Sequence, residues 1–144
     1  MTDPLNQLEI LTEAECRELL TRKSFGRVAF TVGDLPAILP VNYALLDGDV
    51  VFRTAQGSKF NAALERAVVA FEIDGADEAQ QTGWSVLVVG HAIALLKPSE
   101  VKRAKELNLR AWAPGARDQF VRVTTGMISG RRVTTGGPTE ESSA

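Results

Sequence analysis

The feature that most restricts this chain is a succession of β-rich runs, five to twelve residues long, separated by tight-turn residues. Phe25–Val32 reads as a strand, Gly33-Asp34 as a turn, and Leu35–Leu46 as a second strand. Asp47-Gly48-Asp49 then separates that run from Val50–Thr54, a hairpin signal between two strands. Val68–Ile73, Trp84–Leu96, Phe120–Val123 and Met127–Val133 continue the series, with Asp74–Gly83 reading as a polar loop. Fourteen valines suit strands, because β-branched side chains pack well on a pleated surface. Aromatics are only 6%, so the core must be mainly aliphatic. Short strands joined by hairpins, with few helices, predict a mainly β fold: a small antiparallel barrel with peripheral helices. Pro36 and Pro40 make the second strand an edge or a bent strand.

Helices are signalled in three places. Thr12-Glu13-Ala14-Glu15 is a capping box, and the helix after it has an apolar face of Cys16, Leu19 and Leu20. Gly57-Ser58-Lys59 opens a short helix with Phe60, Ala63 and Leu64 at helical spacing. Pro98-Ser99 starts a charged helix reaching about Asn108. Ala111–Gly115 reads as a structured loop. At 144 residues the chain suits one domain, expected over 1–133. The Gly/Ser/Thr/Glu-rich stretch 134–144 has no apolar periodicity and predicts a mobile tail.

Composition removes several function classes. Sixteen Lys+Arg against 18 Asp+Glu give a net charge of −2, which disfavours nucleic acid as the main partner. One cysteine, Cys16, excludes an internal disulfide framework, and one histidine, His91, argues against a His/Cys metal cage. A Ser-His-Asp triad would have to use His91, which reads better as a surface or packed residue. Glu72, Asp74 and Asp77 read as solvated rather than as metal ligands. No apolar run approaches the ~20 residues a bilayer requires, and Met1–Leu8 lacks a signal-peptide pattern, so a cytoplasmic protein without a membrane partner is expected. With the usual catalytic side chains scarce, any reaction should come from a bound cofactor.

The most informative stretch is Phe52-Arg53-Thr54-Ala55-Gln56-Gly57-Ser58-Lys59. A strand ends, a glycine permits a turn, and a helix begins with unpaired backbone N–H groups, a geometry that attracts anions. Ser58 and Lys59 add a hydroxyl and a positive charge, with Arg53 and Thr54 just before them. A phosphate fits this set; a plain N-cap serine beside a solvated lysine fits it equally. The spacing is not that of a Walker loop, and there is no G-x-G-x-x-G fingerprint. Glu100–Val133 carries eight Lys/Arg against three acids, which suits either an anionic ligand or solvated faces. Trp84 and Trp112 are available to stack on a planar ring or to pack in the core.

Seven stretches together resemble the pyridoxamine 5′-phosphate oxidase-like flavoproteins of the FMN-binding split-barrel superfamily, and in particular their small bacterial branch. They are Gly26–Phe30, Pro40–Tyr43, Phe52–Lys59, Phe71–Asp74, Gly83–Val86, Trp112–Gly115 and Gly130–Arg132, in family order across nearly the whole chain. The resemblance implies a split β-barrel and FMN as cofactor. It implies that Arg53, Thr54, Ser58 and Lys59 grip the FMN phosphate and ribityl chain, and that Pro40, Val41 and Asn42 run along the isoalloxazine. Trp84 and Ser85 match the segment that closes over the cofactor, while Trp112 and Arg131 fall on the substrate side. It further implies a homodimer with the cofactor at the interface, and an oxidoreductase acting on a small molecule. Two alternatives stand beside this: a deazaflavin-dependent reductase on the same fold, and a non-catalytic flavin- or haem-binding protein. The C-terminal substrate-phosphate segment of the true pyridoxamine phosphate oxidases is not identifiable, which argues against vitamin B6 oxidation.

Overall fold

In the computed structural model, residues 6–55, 59–109 and 118–135 are described. Among them the chain order is β1 (Asn6–Ile10), α1 (Glu13–Arg22), β2 (Phe25–Val32), β3 (Leu35–Leu46), β4 (Asp49–Ala55) and α2 (Lys59–Leu64). It continues with β5 (Val68–Asp77), β6 (Thr82–Ala94), α3 (Pro98–Lys105), β7 (Asp118–Val123) and β8 (Met127–Thr135). Neighbouring strands follow the order β1-β8-β6-β5-β2-β3-β4-β7, and an additional β6–β7 pairing closes β6, β5, β2, β3, β4 and β7 into a six-stranded antiparallel barrel. β8 and β1 extend the sheet beyond β6.

Closure depends on how β6 divides its edge. One side of β6 pairs with β5 along Thr82–His91. The other side pairs with β8 over Gly83–Val89 and with β7 over Ala92–Ala94. Between those segments the chain linking β7 to β8 crosses over Gly90. His91 O accepts from Thr124 N at 3.0 Å, and Val89 O accepts from Gly126 N at 3.0 Å. A Cβ at position 90 would lie 1.5 Å from the Thr124 carbonyl oxygen, so only glycine lets the crossing segment settle.

β3 bends rather than lying at an edge throughout. Leu35–Asn42 pairs with β2 and Tyr43–Leu46 with β4. Pro36 and Pro40 fall on the first half, where no second strand is paired among the described residues and a missing N–H disrupts no ladder. The expected loop Asp74–Gly83 is corrected: its ends are strand, in register through Asp74↔Ser85, Gly75↔Trp84, Ala76↔Gly83 and Asp77↔Thr82. These residues are polar because the hairpin runs past the barrel core, not because it leaves the sheet. β1 was not expected, and the α3 helix stops at Lys105 because its last turn tightens and Asn108 adopts a left-handed φ of 56°. β8 continues to Thr135, so 134 and 135 are strand, while 136–144 lie outside the described residues, as does the expected 111–115 loop.

The main core fills the barrel with Val28, Phe30, Phe52, Phe71, Ile73, Val86, Val88 and Val123. α1 packs Cys16, Leu19 and Leu20 onto its end. Its capping box is formed: Glu15 N donates to Thr12 Oγ1 at 3.1 Å, and Thr12 N donates to Glu15 Oε1 at 2.8 Å. The Tyr43 hydroxyl donates to Leu20 O at 2.7 Å, tying α1 to β3. Cys16 is fully buried against Gly130, where an added Cβ would lie 2.7 Å from the thiol sulfur. A second core lies outside the barrel, where Ala104 of α3 and Leu109 cover Leu46, Val51, Leu95 and Phe120. No helix among the described residues is long and apolar enough to cross a membrane.

Gly90→Ala should therefore destabilise the protein by about 3 kcal/mol or more, beyond an ordinary overpacking change, because the obstructing atom is backbone. Urea unfolding of the variant beside the parent measures this; an unchanged midpoint would remove the crossing from its structural role.

Candidate functional site

Adjacent residues of a strand face opposite sides, and β4 uses this to separate Arg53 from Thr54. Thr54 is 6% exposed and shares its side with the core residues Val50 and Phe52. Arg53 shares its side with Val51 and turns toward α3. Its Nη1 donates to the Leu109 carbonyl, and its guanidinium lies 5.6 Å from the ring centroid of Phe120, its register partner on β7. There it borders a cavity of about 680 Å³, lined also by Leu95, Val101, Lys105, Asn108 and Gln119. Two cations and no described carboxylate line this space, so it favours an anion.

Charge pairs fasten the roof of that cavity. Arg103 of α3 grips Asp47 with both terminal nitrogens, at 2.8 and 3.0 Å. Those hydrogen bonds hold the Asp47 carboxyl below its ordinary pKa. Arg122 of β7 reaches Glu100 of α3 at 3.3 Å and Asp49 at 3.6 Å. Sequence reading missed Lys105 and Asn108 as lining residues. Lys105 carries a signal in its helical spacing four residues after Val101, whereas Asn108 lies past the end of α3 in a left-handed conformation and carries none.

The remaining expected residues are distributed elsewhere. Lys59 is the first residue of α2, while Ser58 and Trp112 lie outside the described residues. Val41 is buried in the core at 3% exposure, so its backbone alone is available to a ligand. Pro40 and Asn42 alternate with it and lie on the outer face of the sheet, opposite Arg27 and Phe25 of β2. Ser85 and Arg131 are register partners, and with Glu72 and Asp74 they border a shallow cavity of about 350 Å³. Trp84 faces the α1 side, beneath Lys23, whose Nζ is 5.7 Å from the ring centroid. Gly75 makes room for its indole: a Cβ there would lie 2.7 Å from Nε1. Trp84, Lys23, Thr82, Arg132 and Thr134 border a cavity of about 550 Å³. Trp84 also borders the Ser85–Arg131 cavity, so within one chain these three lie around one sheet end while Arg53 is apart from them under α3.

Glu72 and Asp74 project from one face of β5, with Arg27 Nη1 at 3.7 and 3.4 Å. Burial pushes the Glu72 carboxyl up to about 7, helped by a hydrogen bond and repulsion from Asp74 and opposed by Arg27. His91 is exposed, and no group of three or more metal-ligating side chains is assembled among the described residues.

The family model for pyridoxamine 5′-phosphate oxidase matches residues 12–132. The chain belongs to this family. An uncharacterized protein of Mycobacterium tuberculosis, Rv0080, is 38% identical over 128 residues, covering 85% of this chain and 84% of its own. The structure of the FAD binding protein from Mycobacterium smegmatis is 35% identical, covers 86% of this chain and 98% of its own, and superposes with a TM-score of 0.74. The FAD and heme binding protein of the same organism shares the fold at 15% identity and a TM-score of 0.68, covering 90% of this chain and 74% of its own. The split-barrel architecture expected of the family is thus the architecture found.

Because the Glu72 pKa is raised in the folded state, the folded protein holds more protons than the unfolded chain between about pH 4.5 and 7. Stability should fall as pH rises through that window and level off above it. Glu72→Gln should flatten the profile of unfolding midpoint against pH; an unaltered slope would show that Glu72 titrates normally.

Proposed function

We propose that this chain is an FMN-dependent oxidoreductase of the pyridoxamine 5′-phosphate oxidase family, acting as a homodimer on a small molecule. The observation that carries the reading is Arg53: the strand-end cation of the family's phosphate-gripping segment opens onto a cavity with no described carboxylate. The donor chemistry of Arg53, Ser58 and Lys59 fits a flavin phosphate, while Thr54, whose side chain faces the core, offers its backbone alone. The FAD binding protein at 35% identity supports a flavin as the class of cofactor. When bound, a flavin supplies hydride chemistry at its ring nitrogen, which asks no side chain to act as nucleophile. The protein's task is then to bind, orient and exclude water, in keeping with its single cysteine and single histidine.

The outer sheet face supports the dimer. Across it, one register row runs Ile38, Ala29, Ala70, Val89 and Met127. Ile10, Ile38, Val68 and Met127 are 70%, 68%, 62% and 57% exposed on this face. An apolar face of this kind is covered most simply by a second copy. Pro40, Asn42, Ser85 and Arg131 lie on the same face, so covering it brings the two copies' candidate residues together.

Protein reconstituted with FMN should retain a flavin absorbance band through gel filtration, and its absence would overturn the cofactor. Tighter binding of a deazaflavin in the same titration would replace FMN. Sustained turnover with a reduced nicotinamide would separate an enzyme from a binding protein. Lys59→Ala should weaken FMN binding by about 1–3 kcal/mol, the scale of a charged hydrogen bond. Ile38→Asp should shift the chain from dimer to monomer by light scattering, without loss of its β-sheet circular dichroism.

A further inference from the structure

We propose that Glu72, paired with Asp74, is the proton donor of the flavin site, supplying the proton that a small acceptor takes up together with its hydride. This rests on the flavin reading above, which leaves the acceptor's proton without a source. Val69, Phe71 and Ile73 of β5 are buried in the barrel, so Glu72 and Asp74 project from the outer face of the sheet. One register row there runs Pro40, Arg27, Glu72 and Leu87, and the next carries Asp74, Ser85 and Arg131. The two carboxyls thus share a face with Pro40 and Asn42, and with Ser85 and Arg131 they border the cavity of about 350 Å³.

The pair holds a proton where a donor needs one. Burial, then a hydrogen bond and repulsion from Asp74, push the Glu72 carboxyl up to about 7, and Arg27 opposes the rise. A carboxyl that titrates near neutrality is both protonated and acidic enough to serve as a general acid. The groups facing it are Arg27 from β2, Asp74 from β5 and, across the cavity, Arg131 from β8, while its β6 neighbour Leu87 is apolar. Arg27 is shared between the two carboxyls, at 3.7 and 3.4 Å, whereas Arg131 makes no ion pair among the described residues. His91, the chain's one imidazole, lies about 20 Å along β6 from Ser85 at roughly 3.3 Å per residue, too far to serve instead. The step balances. Hydride from the reduced flavin forms a bond to hydrogen at one atom of the acceptor, and the displaced π pair moves to an oxygen or nitrogen. That atom takes the Glu72 proton as the carboxyl O–H breaks, leaving the flavin oxidised and the acceptor reduced. Arg131 steadies the charge until the proton arrives, and solvent recharges the pair through the exposed Asp74.

The test uses the full chain loaded with FMN and chemically reduced, then reoxidised by either of two acceptors. Dichlorophenolindophenol takes up protons with its electron pair; ferricyanide takes electrons alone. Glu72→Gln should slow the dye reaction at least about tenfold and leave the ferricyanide reaction and FMN affinity within about twofold. Glu72→Asp, which keeps a carboxyl, should fall between the parent and Glu72→Gln. Glu65→Gln, at an exposed carboxylate outside the cavity, should behave as the parent. The parent's dye rate should fall as pH rises through about 7, and Asp74→Asn should move that fall to lower pH, because a neighbour that raises Glu72 is lost. Without cofactor or turnover, the infrared carbonyl band of a protonated carboxyl should vanish between about pH 6 and 8 in the parent and be missing from Glu72→Gln. An unchanged dye rate in Glu72→Gln, equal slowing of both acceptors, or no such band in the parent would overturn the donor and keep the flavin reading. A parent chain that retains no FMN would overturn the flavin reading, and the donor with it.

Discussion

Most of the architecture depends on the passage of the Thr124 carbonyl over Gly90. The crossing lets one edge of β6 serve two strands in succession, β8 below the crossing and β7 above it. Without it the β6–β7 pairing that closes the barrel and the β6–β8 pairing that widens the sheet would compete for the same backbone groups. The wide sheet in turn seats α1 against Gly130 on one side and presents the apolar outer face on the other.

The two larger helices are held by different physics. α1 is anchored by buried apolar side chains, a complete capping box and the Tyr43 hydroxyl. α3 has Ala104 as its one fully buried residue and leans on two ion pairs, the exposed Arg103–Asp47 and the largely buried Arg122–Glu100. Exposed ion pairs contribute little each, typically up to about 1 kcal/mol, and weaken with salt. The roof of the Arg53 cavity is accordingly the softer attachment, while the barrel beneath it is rigid. A binding space with one fixed wall and one adjustable wall follows from that contrast.

The strands and both longer helices were legible because their signals are local: alternation, turn residues and caps. The hairpin signal Asp47-Gly48-Asp49 and the capping box at Thr12 each specify their structure within four residues. What escaped was decided at a distance. The ends of the β5–β6 hairpin are polar and read as a loop, yet the cross-strand register carries them as sheet. Gln7, Leu8, Glu9 and Ile10 form a strand only because β8 is there to pair with them. The same holds for the candidate site. Arg53 was visible in its motif, but its neighbour Lys105 lies more than fifty residues away and meets it only through docking of α3. Trp84 and Ser85 looked like one feature in sequence, yet as adjacent residues of β6 they point to opposite faces of the sheet.

Cys16 bears on the chemistry in a different way. Its thiol is sealed between α1 and the Gly130 backbone, and burial together with Glu15 and Glu13 raises its pKa. A thiol that stays protonated and out of contact with solvent neither attacks disulfides nor meets peroxide. Two copies of this chain cannot become covalently joined through it while folded. The chain's single thiol is thus set apart from thiol–disulfide chemistry by its packing rather than by its absence.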